Sequence, residues 1–429
     1  MKRVLIITYY WPPSGGGGVM RWLKMSKYLP GLGWIPVIYT PGNPDASVVD
    51  ESLADEIHPQ TEILKTSIWE PYEVFRKITG KKKGEKFKAG YISEASSGDW
   101  KNRLSVFIRG NFLIPDPRKF WIKPSVKFLL KYLKENPVDL IVSTGPPHSM
   151  HLIALRLKKR IDVPWIADFR DPWTDIDFYQ KLRLTLWADK KHRKLELKVL
   201  KEADHIVTVS PHCANDLYKI PGKQVKVIYN GFDPADFKES IPVSGNKFSI
   251  AHFGAFNRDR NPAILWKVLG MLAKENAIFR EKLSIRLIGQ TDDSVIDDIK
   301  NNGLEKNLVQ TDHLPHKKGL DELAQSQILL LPINDAPNAK GILPGKMYEY
   351  MALKRPILAI GPVNSDFAQI LKETKAGAAV DFNDFAGLKE SINQYFQQFQ
   401  EGGLEVHSTL VEKYSRKNQA KNFMDLIKK

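Results

Sequence analysis

The stretch Arg3-Val4-Leu5-Ile6-Ile7-Thr8-Tyr9-Tyr10-Trp11-Pro12-Pro13-Ser14-Gly15-Gly16-Gly17-Gly18 begins as an unbroken apolar run and ends in four glycines. A short run of this kind, bounded by turn residues, predicts a strand buried on both faces. The apolar spacing from Val19 to Leu29 predicts the helix that follows. Strand, glycine-rich turn and helix form the opening unit of a parallel α/β sheet. Met1-Lys2-Arg3 before the apolar run imitates a signal peptide, but no small-residue cleavage site follows. The run is therefore read as a first strand.

Working outward, the same alternation recurs. Strands are expected at Arg3 to Tyr10, Pro36 to Thr40, Asp139 to Ser143, Pro164 to Phe169, His205 to Ser210 and Val225 to Tyr229. Helices are expected at Ser149 to Lys159 and at about Phe178 to Glu202. After the Pro-containing stretch Asp233 to Gly245 a second series begins, with strands at Phe248 to Phe253, Ser284 to Gly289, Gln327 to Pro332, Ile357 to Ile360 and Ala378 to Val380, the two series joining near 234–246. A chain of 429 residues has room for two cores. The expectation is two doubly wound, Rossmann-like parallel-sheet domains.

Hydrophobic residues make up 42% and charged residues 26%, which excludes a mainly disordered or collagen-like chain. No run of about 18 apolar residues predicts a membrane-spanning helix. One cysteine, Cys213, gives no intramolecular disulfide or thiolate cluster, and a reducing cytoplasm is the expected compartment. The net charge of +15 calls for an anionic ligand or surface. Residues 71–140 hold sixteen Lys+Arg against seven Asp+Glu, so much of that excess lies inside an insert at about 44–125 and just beyond it. Lys81-Lys82-Lys83, Lys86 and Lys88 precede Phe107 to Ile114 and Arg118-Lys119-Phe120-Trp121-Ile122-Lys123. Interleaved basic and aromatic residues suit an anionic membrane surface, the alternative being a solvated loop with satellite core residues. No recognition-helix, zinc or RNP motif accompanies the charge, and nucleic acid is not the expected partner.

Two places carry the chemistry. Gly16 and Gly17 let a ligand approach the backbone at the start of a helix, whose free amides suit a phosphate or polar substrate. The glycine spacing is neither the dinucleotide fingerprint nor a Walker loop, and the second strand ends in Tyr39-Thr40 where a nicotinamide site would want an acid. In the second half, Leu343-Pro344-Gly345 opens a helix on which Lys346 and Glu349 share the face of the first turn. An ammonium with helix-terminal amides suits a diphosphate, and a carboxylate one turn on suits ribose hydroxyls, the alternative being an ordinary surface ion pair.

The segment Pro344-Gly345-Lys346-Met347-Tyr348-Glu349-Tyr350-Met351-Ala352-Leu353-Lys354-Arg355-Pro356-Ile357-Leu358-Ala359 resembles the nucleotide-sugar signature of the retaining glycosyltransferases of family 4, also called group 1, in a Pro-Gly-Lys variant. The similarity extends to Ser143-Thr144-Gly145-Pro146-Pro147-His148-Ser149, Asp168-Phe169-Arg170-Asp171-Pro172-Trp173, Thr208-Val209-Ser210, Ile228-Tyr229-Asn230-Gly231-Phe232-Asp233 and His252-Phe253-Gly254. The resemblance implies the GT-B fold, two facing Rossmann-like domains with an interdomain cleft. It implies an acceptor-side domain at 1–235 plus 411–429, where a closing basic helix crosses back, and a nucleotide-sugar domain at 236–410.

By position, the resemblance gives Glu349 to the donor ribose, Lys346 and Arg260 to the diphosphate, and His313 and Leu314 to the base, with Gly254, Leu343 and Gly345 beside them. Asp168, Arg170, Asp171 and His148 fall on the acceptor or transferred-sugar side. For Asp168 and Arg170 the alternative is a structural ion pair, and for His148 a helix cap. Two positions depart from the pattern: Gly341 stands in place of the signature's first Glu, and Ala255 in place of the first of two basic residues, for which Lys346 can compensate.

The implied reaction is transfer of a sugar from a nucleoside diphosphate donor of UDP or GDP type, with retention, to a glycan or polyprenyl-linked acceptor in cell-surface polysaccharide synthesis. It would take place at the inner face of the plasma membrane. Arg260, Lys346 and helix amides would stabilise the charge growing on the leaving phosphate. No cofactor is expected, and no metal is assigned to the Asp175-Ile176-Asp177 triplet. The alternatives are a sugar-nucleotide epimerase of the same fold and a non-catalytic nucleotide-sugar or glycan binder.

Overall fold

Thirteen strands and the helices between them build two parallel sheets in a computed structural model that describes the chain except residues 47, 72–99, 177, 178, 218–221, 238–244, 313, 403, 405, 407, 428 and 429. The first sheet contains β1 Lys2–Ile7, β2 Trp34–Pro41, β3 Glu62–Thr66, β4 Leu140–Gly145, β5 Trp165–Phe169, β6 His205–Thr208 and β7 Val225–Val227, in the order β3-β2-β1-β4-β5-β6-β7. The second contains β8 Phe248–Phe253, β9 Leu283–Ile288, β10 Leu308–Thr311, β11 Ile328–Pro332, β12 Ile357–Ile360 and β13 Gly377–Val380, in the order β10-β9-β8-β11-β12-β13. All registers are parallel.

The apolar run of β1 is continuous because it serves two cores. Leu5 and Ile7 point into one, with Ile141, Ala167 and Phe169; Val4 and Ile6 point into the other, with Val142, Ile166 and Trp22. Period-two alternation thus survives inside an all-apolar strand. Two strands escaped the sequence reading, β3 and β10. Both are edge strands with half-buried or exposed side chains, so their sequences, Glu62-Ile63-Leu64-Lys65-Thr66 and Leu308-Val309-Gln310-Thr311, carry no core signal.

The long helix expected from Phe178 starts later, at Leu186, and runs to Glu202. Arg183 has φ 52°, and Thr185 caps the helix by accepting from the Ala188 amide at 3.2 Å. Of the basic insert, 72–99 with its lysine cluster lies outside the described residues; 100–112 and 122–135 are helices.

The chain divides into two compact units, Met1–Asn230 with Arg416–Lys429, and Gly231–Ser415. The closing helix Arg416–Asp425 belongs to the first: Ala420, Phe423 and Met424 enter the core containing Trp22, and Gln419 accepts from the Tyr229 amide at 2.9 Å. In each sheet the chain first grows one way and then the other, which puts a switch point between β1 and β4 and another between β8 and β11. The strand ends there are where open α/β sheets take ligands.

Candidate active site

On the second unit, β8 delivers His252, Phe253 and Gly254 to its carboxyl end. Gly254 has φ 96°, and a β-carbon there would stand 2.9 Å from Lys346 Nζ. The missing side chain is what lets Lys346, in the first turn of the helix Gly345–Ala352, lie across the strand end. Its ammonium donates to His252 Nε2 at 3.3 Å. His252 Nδ1 donates in turn to the Leu330 carbonyl at 3.1 Å, which fixes the tautomer and leaves Nε2 as acceptor. Burial, then the charge of Lys346, holds His252 neutral, well below its ordinary range. Burial and then Arg260 pull Lys346 down to about 7, while Glu349 acts the other way.

One turn further on, Glu349 Oε1 accepts from His316 Nε2 at 3.0 Å. Arg260 ends a short 3-10 turn, and its Nε donates to Asn334 Oδ1 at 2.7 Å. It lines a cleft of about 440 Å³ with Asn261, Lys267, Asp335 and Phe382. Thus Gly254, Arg260, Lys346 and Glu349 are gathered around the strand ends. Leu343 is buried and Gly345 opens the helix. Leu314 is half-buried just before the helix His316–Ala324; His313 lies outside the described residues. Neither His252 nor His316 carries a site role in the sequence reading; they meet Lys346 and Glu349 only through the fold.

On the first unit the glycine-rich turn exposes Gly16 and Gly17 at the start of the helix Gly17–Ser26. Arg170 reaches back from β5 and donates to the Gly18 carbonyl at 2.9 Å and to the Pro146 carbonyl at 3.1 Å. It fastens the first turn of that helix to the turn after β4. Asp171 beside it is exposed enough to meet a ligand, at 46% of its side chain.

Asp168 takes up the ion-pair alternative that the sequence left open. Its carboxylate is completely buried and takes four donors: Arg21 Nε at 3.0 Å and Nη2 at 2.9 Å, Trp22 Nε1 at 2.9 Å and Thr144 Oγ1 at 3.0 Å. Two oxygens offer about four acceptor positions, so the group is used up inside the protein. The structural ion pair is the arrangement observed, and Asp168 is a positioning residue for the helix that follows the glycines.

His148 is buried and stacks on Trp173, ring centroids 4.7 Å apart and planes 4° apart. Its side chain does not cap the helix Ser149–Lys158. Burial and then His151 hold it neutral, well below its usual range; burial takes His151 to about 3. Both rings crowd Gly145, where a β-carbon would lie 2.7 Å from His151 Nε2 and 2.9 Å from His148 Nδ1. Among the described residues the two nitrogens meet no hydrogen-bond partner.

Trp173 is held from behind by the helix Leu186–Glu202. Its indole donates to His192 Nδ1 at 3.1 Å, and Glu196 accepts from the Thr174 amide and hydroxyl at 3.2 and 2.7 Å.

The profile of glycosyltransferase family 4 matches residues 15–236, just over half the chain. The chain belongs to this family. It is a glycosyltransferase, and its two parallel-sheet domains are those of the GT-B fold. Solved structures agree on the fold. Sucrose-phosphate synthase from Thermosynechococcus elongatus is 13% identical with a TM-score of 0.63, the match covering 100% of this chain and 98% of that one. Anabaena HepE in complex with UDP-glucose is 12% identical, TM-score 0.61, with both chains covered completely at 100%. A point mutant of S. aureus TarM, in complex with fondaparinux, α-GlcNAc-glycerol and UDP, is 11% identical, TM-score 0.62, with 99% of each chain covered. No curated protein matches the sequence.

Proposed function

We propose that this family-4 transferase moves a sugar, with retention, from a nucleoside diphosphate donor to a glycan or lipid-linked acceptor, in the synthesis of a cell-surface polysaccharide on the cytoplasmic side of a membrane. The second domain takes the donor and the first the acceptor. The observation that carries the donor reading is the gathering of Lys346, Glu349, Arg260 and Gly254 at the carboxyl end of β8. The UDP and UDP-glucose in the TarM and HepE complexes are consistent with such a donor.

In this reading the diphosphate lies against Lys346, Arg260 and the helix amides at Gly345, and Glu349 accepts the ribose hydroxyls while His316 keeps its carboxylate oriented. As the bond from the anomeric carbon to the phosphate oxygen breaks, Lys346 and Arg260 stabilise the charge left behind. The acceptor oxygen attacks the same face and its proton passes to the departing phosphate. This front-face course needs no protein base, and the withdrawal of Asp168 into its ion pair is in keeping with it. His148 and Asp171 then hold hydroxyls of the sugar or acceptor, and Arg170, next to Asp171, holds the turn that carries His148.

Gly341 sits, buried, where the signature's first Glu would be, so the contact to the transferred sugar falls to other groups. Thermal-shift measurements against UDP, GDP, ADP and CDP should show one base raising the midpoint. Glu349→Ala should remove that shift and lower transfer at least ~100-fold. Wild-type turnover in that variant, or isomerisation of the donor without an acceptor, would overturn the proposal.

A further inference from the structure

Large apolar side chains are exposed on neighbouring elements of the first domain. Trp69 is 58% exposed, Phe112 61%, Leu186 84% and Trp187 60%, with Phe120 beside them. Contacts join Trp69, Phe120 and Phe112, and bonds from Asn111 bring the start of a second helix near them. Trp69 meets Phe120 edge-on at 4.9 Å. Lys119 lies 5.1 Å over the Phe120 ring and donates to the Phe112 carbonyl at 2.6 Å. Next to Phe112, Asn111 bonds the Arg183 carbonyl and the Thr185 amide at 3.2 and 2.7 Å, which places the first turn of the helix Leu186–Glu202 alongside. Lys191, one turn on, lies 4.6 Å over Trp187 and is near enough to Lys119 to oppose its charge.

Single exposed apolar residues are ordinary; a group of this size marks a docking surface. The charge around it names the partner. Arg118 is paired with Glu70 at 2.9 Å. Without Arg118, segments 103–123 and 181–194 carry ten Lys+Arg and two Asp+Glu. Aromatic and aliphatic tips ringed by lysines match the boundary between acyl chains and anionic headgroups, where the rings enter and the ammonium groups meet phosphate.

We propose that Trp69, Phe112, Phe120, Leu186 and Trp187, with Lys119 and Lys191, form a membrane-docking face that seats the first domain on an anionic bilayer. The proposal deepens the lipid-linked acceptor reading and rests on it for purpose alone. It also extends the docking face beyond the basic insert, since Leu186, Trp187 and Lys191 belong to a different helix.

The test is co-sedimentation of the full chain, without sugar nucleotide, with vesicles of phosphatidylcholine alone and of phosphatidylcholine and phosphatidylglycerol in equal parts. The wild type should bind the anionic vesicles and not the neutral ones. Leu186→Ser/Trp187→Ser should weaken binding about tenfold, and Lys119→Glu/Lys191→Glu should abolish the preference for anionic lipid. As a check independent of these variants, brominated acyl chains should quench the wild-type tryptophan emission, and less so in Trp187→Phe. Equal binding by the wild type and the serine variant, or equal binding to both vesicles, overturns the proposal. So does a wild type that ignores vesicles but forms dimers that the serine variant loses, which would make the face an interface between copies. Absence of glycosyl transfer would sink the proposed function and leave the vesicle result standing.

Discussion

At the scale of single residues, Lys346 does two opposed things. Burial and the nearby Arg260 bring its pKa down to about 7, against 10.5 for an ordinary lysine, so the fold bears the cost of burying an ammonium. The sign follows from the depressed value: the unfolded chain binds the proton more tightly, so stability falls as pH drops from about 10.5 to about 7 and changes no further below that. A diphosphate favours the charged form, so donor binding takes up a proton above about pH 7 and weakens as pH rises. Calorimetry in buffers of different ionisation enthalpy should detect that uptake. Lys346→Met should stabilise the fold at neutral pH by about 1–3 kcal/mol, read as a higher unfolding midpoint, while abolishing donor binding. A variant that loses both stability and donor affinity would contradict this account.

The sequence showed the Lys346 and Glu349 pair because helical spacing puts them on one face. It did not show their partners, His252 and His316, which come from other elements and meet the pair only in three dimensions. For the mirror reason, the sequence leaves Asp168 between a ligand role and an ion pair. A carboxylate at a strand end looks available until Arg21, Trp22 and Thr144 are seen to surround it.

At the scale of elements, the helix Leu186–Glu202 clamps the loop after β5 through His192 and Glu196, and the loop in turn sets Trp173 against His148. Replacing Glu196 by Ala leaves a buried amide and hydroxyl of Thr174 without an acceptor, at a cost of about 1–3 kcal/mol. The expected outcome is a lower urea midpoint together with a reduced kcat. Glu196→Gln, which keeps a carbonyl oxygen, should recover most of both. If the loss were of stability alone, with kcat unchanged, the clamp would have no part in setting His148. Central strands were legible by their burial, and half-exposed edge strand β7 by its β-branched alternation, Val225-Lys226-Val227. The central strands announce themselves by apolar runs that serve two cores, whereas edge strands β3 and β10 have one poorly covered face and read as loops. The late start of Leu186–Glu202 was hidden because the periodic pattern runs on past Arg183, whose φ of 52° no periodicity can reveal.

For the whole molecule, the first domain is discontinuous in sequence. Phe423 packs edge-on against Trp22 at 5.0 Å in a core shared with β1 and β4. Phe423→Ala should cost about 3–5 kcal/mol. Hydrogen exchange followed by mass spectrometry should quicken in peptides from 1–230 and stay unchanged in those from 231–415; a uniform change would mean that the two units do not hold separate cores.

The return of the last helix to the first core also orders events on the ribosome. Every residue of Gly231–Ser415 has been made before Arg416–Asp425 appears, so the second domain can close while the first, although begun earlier, still lacks Phe423 and Met424. At some 5–20 residues per second, the first domain waits on the order of ten seconds or more for its final piece. Synthesis runs from the amino terminus, but completion of the domains runs the other way.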